Sequence, residues 1–196
     1  MDNVEVMFSI PLIRYKIENW EHNKKRILDA LPPEDGDKGK KHPTYNQDKL
    51  TTDWATWQSD TDVLPSYAPV LIDIIKPYLK KFVGDMPISF TDMWYQKYYN
   101  GSYHNTHNHG AIGWSSVVYV EFDPEIHTGT RLLSPFGNHI DGTVMEYFPK
   151  IEEGDMLLFP SSILHESSIN RTDKRRTIIS YNIAGTLEET RYSIPC

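Results

Sequence analysis

Gly101-Ser102-Tyr103-His104-Asn105-Thr106-His107-Asn108-His109-Gly110, with Trp114-Ser115-Ser116-Val117-Val118-Tyr119-Val120 just after it, is the stretch that decides how this chain folds. The second half has the β-branched and aromatic content of a strand. In the first half His107 and His109 are two residues apart. Side chains alternate along an extended backbone, so both rings leave one face and can reach a single ion. Further on, Gly154-Asp155-Met156-Leu157-Leu158-Phe159-Pro160 reads as a turn, a buried strand and a stop, and His165 follows shortly after. Arg176 comes next, beyond the polar break Asn170-Arg171-Thr172-Asp173. A hairpin folded at that break makes positions 165 and 176 cross-strand neighbours. Three imidazoles and a guanidinium then converge on one cavity, which points to a metal with an acidic co-ligand.

Around this stretch the chain is punctuated like an all-β protein. Segments 87–99, 112–122, 130–135, 143–149, 154–160 and 175–184 are short, rich in β-branched and aromatic residues, and separated by turn pairs such as Asn100-Gly101, Asp141-Gly142 and Glu153-Gly154. Serial short strands of this kind predict an antiparallel sandwich or barrel. Before residue 86 the period differs. Residues 4–16 read as one or two short strands around Pro11. Residues 18–31 read as a helix stopped by Pro32-Pro33. Over 66–83, Val70, Leu71, Ile74, Ile75, Tyr78, Leu79 and Phe82 recur at helical steps. Pro69 fits near the start of that helix, and Pro77 implies a kink or a break. The predicted class is mainly β with flanking helices: a double-stranded β-helix, or jelly roll, over 86–196, with residues 1–85 as an N-terminal strand and helical buttress in one structural domain. Residues 33–48, rich in Pro, Asp, Gly and Lys, read as an exposed loop that could cover a substrate.

Bulk composition narrows the function. The 196 residues carry a formal charge of −7, which argues against a broad grip on nucleic acid phosphates. Twelve Tyr, seven Phe and five Trp supply a sizeable core. The single cysteine, Cys196, allows no internal disulfide, so a reducing, cytoplasmic setting is expected. The start lacks a secretory pattern and no apolar run reaches membrane-spanning length, so a soluble protein is expected.

The metal candidates have ordinary alternatives. His107 and His109 alone would also suit an exposed His-rich loop, and Arg176 could be one more solvated charge in Lys174-Arg175-Arg176. The third histidine after a buried strand tips the balance toward a metal site. His104 is off the alternation and reads as polar packing or a supporting donor, while His22, His42, His127 and His139 read as surface residues. Nitrogen ligands without cysteine suit Fe(II), Zn, Cu, Ni or Mn, and an open facial site on a jelly roll favours Fe(II) acting on dioxygen.

Residues 95–184 resemble the core of the 2-oxoglutarate and Fe(II)-dependent oxygenases, on the prolyl-hydroxylase-like branch with its bacterial and phage members. Tyr99-Asn100-Gly101, the 114–120 strand, Glu153 through Pro160, His165 and Arg176-Thr177-Ile178-Ile179-Ser180-Tyr181-Asn182 carry the resemblance. It implies that His107 and His165 are metal ligands and that Arg176 holds the distal carboxylate of 2-oxoglutarate, with Tyr119 and Tyr99 as phenols near that carboxylate. It further implies release of succinate and CO2 and hydroxylation of a small-molecule or peptidyl substrate by dioxygen; a homodimer is compatible with it, while hydropathy speaks for no membrane partner and the charge argues against nucleic acid. The family usually places Asp or Glu two residues after the first histidine, where this chain has His109. Either His109 itself completes the site, which the alternation favours, or a distant carboxylate such as Asp141 or Glu121 does.

The cupins share the fold and use His-x-His with a later histidine. Their first motif needs a glutamate where Gly113 and Trp114 stand, and Arg176 has no place in their scheme. A non-enzymatic jelly-roll binding module is the third reading. The substrate is not legible: Trp94, Trp114, Tyr103 and the 33–62 segment are candidates for an entrance.

Overall fold

The structure, a computed structural model, describes residues 8–32, 50–54 and 64–185. The loop read over 33–48, His42 and Cys196 lie outside those residues. Along the described chain run β1 (Ile13–Lys16), α1 (Trp20–Ala30), β2 (Leu50–Thr52), α2 (Ala68–Val83), β3 (Ile88–Tyr98), β4 (His104–His107), β5 (Trp114–Glu121), β6 (Thr130–Gly137), β7 (Val144–Tyr147), β8 (Asp155–Pro160), β9 (His165–Ser167) and β10 (Arg176–Gly185). One six-stranded sheet has the order β1-β8-β5-β10-β3-β2 and a four-stranded sheet the order β4-β9-β6-β7. All neighbours are antiparallel. This is the mainly β jelly roll that the strand punctuation predicts.

Alternation along the large sheet separates two cores. Val118 and Val120 on β5, Met156 and Leu158 on β8, and Ile179, Tyr181 and Ile183 on β10 join one cluster. It includes Ile27 of α1 and Leu71, Ile74, Ile75, Tyr78 and Leu79 of α2, so the helices cover this face. Val117 and Tyr119, Leu157 and Phe159, and Ile178 point the other way, meeting Leu132, Ile151 and Ile163 between the sheets. The helices thus occupy one side and leave the interior of the roll free for a site.

Local contacts pin the helices. The amide of Ile17 donates to Gly154 O at 2.9 Å and that of Gly154 to Tyr119 O at 2.9 Å. Gly154 has φ +82°, and a Cβ there would lie 2.7 Å from the Trp20 indole. Glycine therefore both makes the turn and lets α1 sit directly on it. Pro77 does not break α2, which continues through it as one element.

Two expectations are corrected. Residues 170–173 do not close a hairpin between His165 and Arg176, because β9 belongs to the small sheet and β10 to the large one. Arg176 instead reaches β9 across the interior, through Ser167 and Ser168. His127 is no surface residue: it is buried, its Nδ1 accepts from the Asp123 amide at 3.0 Å, and its Nε2 donates to Lys174 O at 3.0 Å.

Candidate metal centre

His107 and His165 are direct partners on the antiparallel β4–β9 ladder. Their ring centres lie 4.3 Å apart, and each is 5.0 Å from the ring of His109. One nitrogen from each of the three lies within 4.8 Å of the others, a grouping able to hold a metal ion. His109 stands two residues past the end of β4, so strand alternation does not aim it. Its amide donates to Ser161 O at 2.9 Å, which docks the turn against the end of β8. The imidazole then faces Ser115 and Asn182.

The hydrogen bonds decide which nitrogens are free. Nδ1 of His107 contacts Asn105 O at 2.7 Å, and Nδ1 of His165 contacts Ile163 O at 2.9 Å. A carbonyl only accepts, so both Nδ1 atoms carry the proton. Nδ1 of His109 contacts Asn182 Oδ1 at 2.6 Å, while Asn182 Nδ2 donates to Asp92 Oδ2 at 3.1 Å. Only the amide nitrogen can face a carboxylate, which fixes the oxygen toward His109. All three rings therefore present a bare Nε2 lone pair, with Nδ1 spent on an orienting partner. That arrangement is the one metal-binding histidines use.

Burial keeps the rings neutral. It lowers His165 to about 3, helped by the neighbouring His107 and His109. It lowers His107 to about 4, against the opposing pull of the Asn105 carbonyl. His109 is lowered by the same burial, offset in part by Asn182 and Asp92. At neutral pH the triad is three uncharged donors ready for a cation.

The pocket next to the triad runs along the interior face of the large sheet, lined by Trp94, Gln96, Tyr98, Ser115, Ile178 and Ser180, with Thr130 and Ser167 opposite. Arg176 is 2% exposed at its far end. Nη1 donates to Thr128 O at 2.7 Å, and Nη2 donates to Ser167 Oγ at 2.7 Å and Ser168 O at 2.9 Å. Nε has no partner, and no carboxylate among the described residues pairs with this cation. Burial lowers its pKa while the Tyr98 and Tyr119 hydroxyls oppose that. The hydroxyl of Tyr98 is also buried and makes no well-formed hydrogen bond, and burial pushes it up to about 12 despite the nearby guanidinium and Ser167. A buried polar group left unpaired costs about 1–3 kcal/mol, and a buried charge more. Two orphaned donors side by side beneath an imidazole triad suit the carboxylate of a small anion.

Other site residues read from the sequence lie nearby or elsewhere. Tyr119 is buried behind the pocket wall, its hydroxyl 2.7 Å from Thr130 Oγ1 and accepting the Thr130 amide at 3.0 Å. Tyr99 faces the other way, toward Arg175, because one residue shifts the side chain to the opposite face. Tyr98 is the tyrosine that lies against Arg176. Neither proposed distant carboxylate reaches the triad: Glu121 binds Arg175 and Thr177, and Asp141 is exposed in a turn with Thr143. His104 supports the site, its ring stacked 3.9 Å from that of His107 and its Nδ1 3.3 Å from Gln96 Nε2. Asn182, Asp92 and Ser115 went unread from the sequence. Counting in twos from Arg176 through Ile178 and Ser180 reaches Asn182, so the signal was present.

Comparison with known proteins agrees with this geometry. A sequence profile of the family described as "Putative 2OG-Fe(II) oxygenase" matches residues 92–182. No curated protein matches the chain. Among solved structures, a 2OG-Fe(II) oxygenase family oxidoreductase from Burkholderia pseudomallei is 13% identical with a TM-score of 0.59, covering 88% of this chain and 84% of its own. HygX from Streptomyces hygroscopicus, solved with nickel and 2-oxoglutarate, is 12% identical with a TM-score of 0.57, covering 89% and 83%. A prolyl-4-hydroxylase from Pseudomonas putida is 12% identical with a TM-score of 0.55, covering 90% and 94%. Over residues 92–182 the chain is thus similar to the 2OG-Fe(II) oxygenases, and the solved structures share its fold. No helix among the described residues is long and apolar enough to cross a membrane.

Proposed function

We propose that this protein is a non-haem Fe(II)- and 2-oxoglutarate-dependent oxygenase that hydroxylates a small-molecule or peptidyl substrate. His107, His109 and His165 would hold the iron through Nε2. Arg176, with Tyr98 beside it, would hold the distal carboxylate of 2-oxoglutarate. The observation that carries this reading is the pairing of three bare Nε2 atoms with a buried guanidinium that has no counter-ion among the described residues. A dianion bridging the two would neutralise the buried cation and add negative charge to a metal held by neutral ligands. When bound, the iron–oxoglutarate pair supplies the oxidation: one atom of dioxygen goes into succinate as CO2 leaves, the other into a substrate C–H bond. The protein's own part is to fix the three tautomers, orient the keto acid and keep water out with Trp94, Phe159 and Ile178.

The test is anaerobic titration of the metal-free protein with Fe(II), with and without 2-oxoglutarate. Binding of both, with the weak visible charge-transfer band of a bidentate keto acid, is expected. Metal uptake with no response to oxoglutarate would overturn the reading.

A further inference from the structure

Resting on that reading, we propose that Asp92, acting through Asn182, is the anionic counterweight of the metal centre and stands at one remove for the carboxylate that the His107-x-His109 pair lacks. Three imidazoles bring no negative charge to a divalent ion, and nearby carboxylates are otherwise engaged. Glu166, on the pocket wall, binds Arg131 and Thr106, and Glu121 is held by Arg175. Asp92 is different. It lies opposite Asn182 in the β3–β10 register, and the ladder shifts between Asn182 and Ile183, just past the pair.

The bonds from His109 outward share one direction. His109 Nδ1–H donates to Asn182 Oδ1 at 2.6 Å, and Asn182 Nδ2 donates to Asp92 Oδ2 at 3.1 Å. Ser115 Oγ donates to the same amide oxygen at 2.9 Å, and Thr91 Oγ1 to Asp92 Oδ2 at 3.0 Å, so both links are held in place. Hydrogen bonds in series polarise one another, so negative charge at Asp92 makes Nε2 of His109 a stronger donor. His107 and His165 end on neutral backbone carbonyls and receive no such support. The residue standing where the family's carboxylate belongs is thus the one wired to a charge. Asp92 and Asn182 are positioning residues and touch no substrate.

Co(II) titration of the metal-free protein tests this, with melting of the same samples to report folding. Asp92→Asn keeps the shape and removes the charge. Co(II) affinity is expected to fall on the order of 10–100-fold, with the metal-free melting temperature little changed. In a His109→Asp background a carboxylate already sits at the metal, and Asp92→Asn is expected to leave affinity unchanged or raised. An equal loss in both backgrounds would make Asp92 a strand tie and overturn the proposal, as would full affinity in Asp92→Asn. Should Asp92→Asn fold poorly, the exchange Asp92→Asn with Asn182→Asp decides. Moving the charge one bond nearer should restore at least the original affinity, and failure to do so sinks the idea. If the unaltered protein takes up no Co(II), the oxygenase reading itself fails, a distinct result.

Discussion

Arg176 and Tyr98 are direct partners across the β10–β3 ladder, and the guanidinium carbon lies 4.3 Å from the centre of the phenol ring. A cation over an aromatic face is attracted by about 2 kcal/mol when desolvated. That holds Arg176 in place without neutralising it, so the charge stays available. An ion pair in the same position would have consumed it.

Replacing Arg176 with Lys keeps the charge and discards the planar fork. In the presence of Mn(II), 2-oxoglutarate affinity should fall roughly 10–100-fold, the equivalent of one charged hydrogen bond. Mn(II) binding without oxoglutarate should not change. Calorimetry on the two proteins measures both quantities, and undiminished oxoglutarate affinity would remove Arg176 from the role assigned to it.

Acid should act on the metal-free fold before it acts on anything else. A histidine in the unfolded chain titrates near 6.5, whereas burial holds His107 near about 4 and His165 near about 3. Between those values the unfolded chain binds more protons, so stability rises with pH. This contribution is complete above about 6.5 and lost as pH falls through the folded values. Melting of the metal-free protein should therefore drop from pH 7 to pH 4.5, and less steeply in His165→Gln. Co(II) affinity should stay nearly level over the upper part of that range, because no proton has to leave. A steep fall in affinity beginning below pH 6.5 would mean that the rings are solvated.

How much of this was legible beforehand follows from what each element is made of. β3, β5 and β10 are long and rich in β-branched and aromatic residues, and β8 is a short apolar run, so the sequence shows them directly. β2, β4 and β9 are three or four residues long and mostly polar, as in His104-Asn105-Thr106-His107, so no periodicity marks them. Their strand character comes from pairing with a neighbour. The histidine triad was readable because it needs only residue type and order. The Arg176 environment was not, since a break at 170–173 looks the same whether the chain turns back along one sheet or crosses to the other. That Tyr98 and not Tyr99 sits beside Arg176 was not legible, because the end of β3 sets the parity and the sequence does not say where a strand ends.

Gly113 joins the histidine turn to β5, and a Cβ there would lie 2.5 Å from Ile183 O, with φ at +93°. The obstructing atom is backbone in the β5–β10 ladder and cannot rotate away. Gly113→Ala should destabilise the fold by about 2–3 kcal/mol, combining the positive φ with the clash. Because Ser115 and His109 flank this point, Co(II) affinity should fall as well. Thermal melts and titration of the same variant check both, and a stable variant with full affinity would place the turn elsewhere.

Tyr98 and Tyr119 are both fully buried near Arg176, yet their hydroxyls are situated oppositely. That of Tyr119 accepts the Thr130 amide and pairs with its side chain. Tyr119→Phe strands a buried amide, so it should cost about 1–3 kcal/mol of stability. Tyr98 has no well-formed hydrogen bond to lose, only the nearby Ser167. Tyr98→Phe removes an unsatisfied group, and the melting temperature without ligand should hold or rise. If Tyr98 and not Tyr99 is the phenol that meets the oxoglutarate carboxylate, Tyr98→Phe should nonetheless weaken oxoglutarate binding about fivefold to tenfold, one neutral donor's worth. Tyr99→Phe, on the face toward Arg175, should leave that binding alone. Melting and calorimetry on the three variants separate the roles. Loss of oxoglutarate affinity in Tyr99→Phe, with none in Tyr98→Phe, would reverse the face of β3 that the pocket uses.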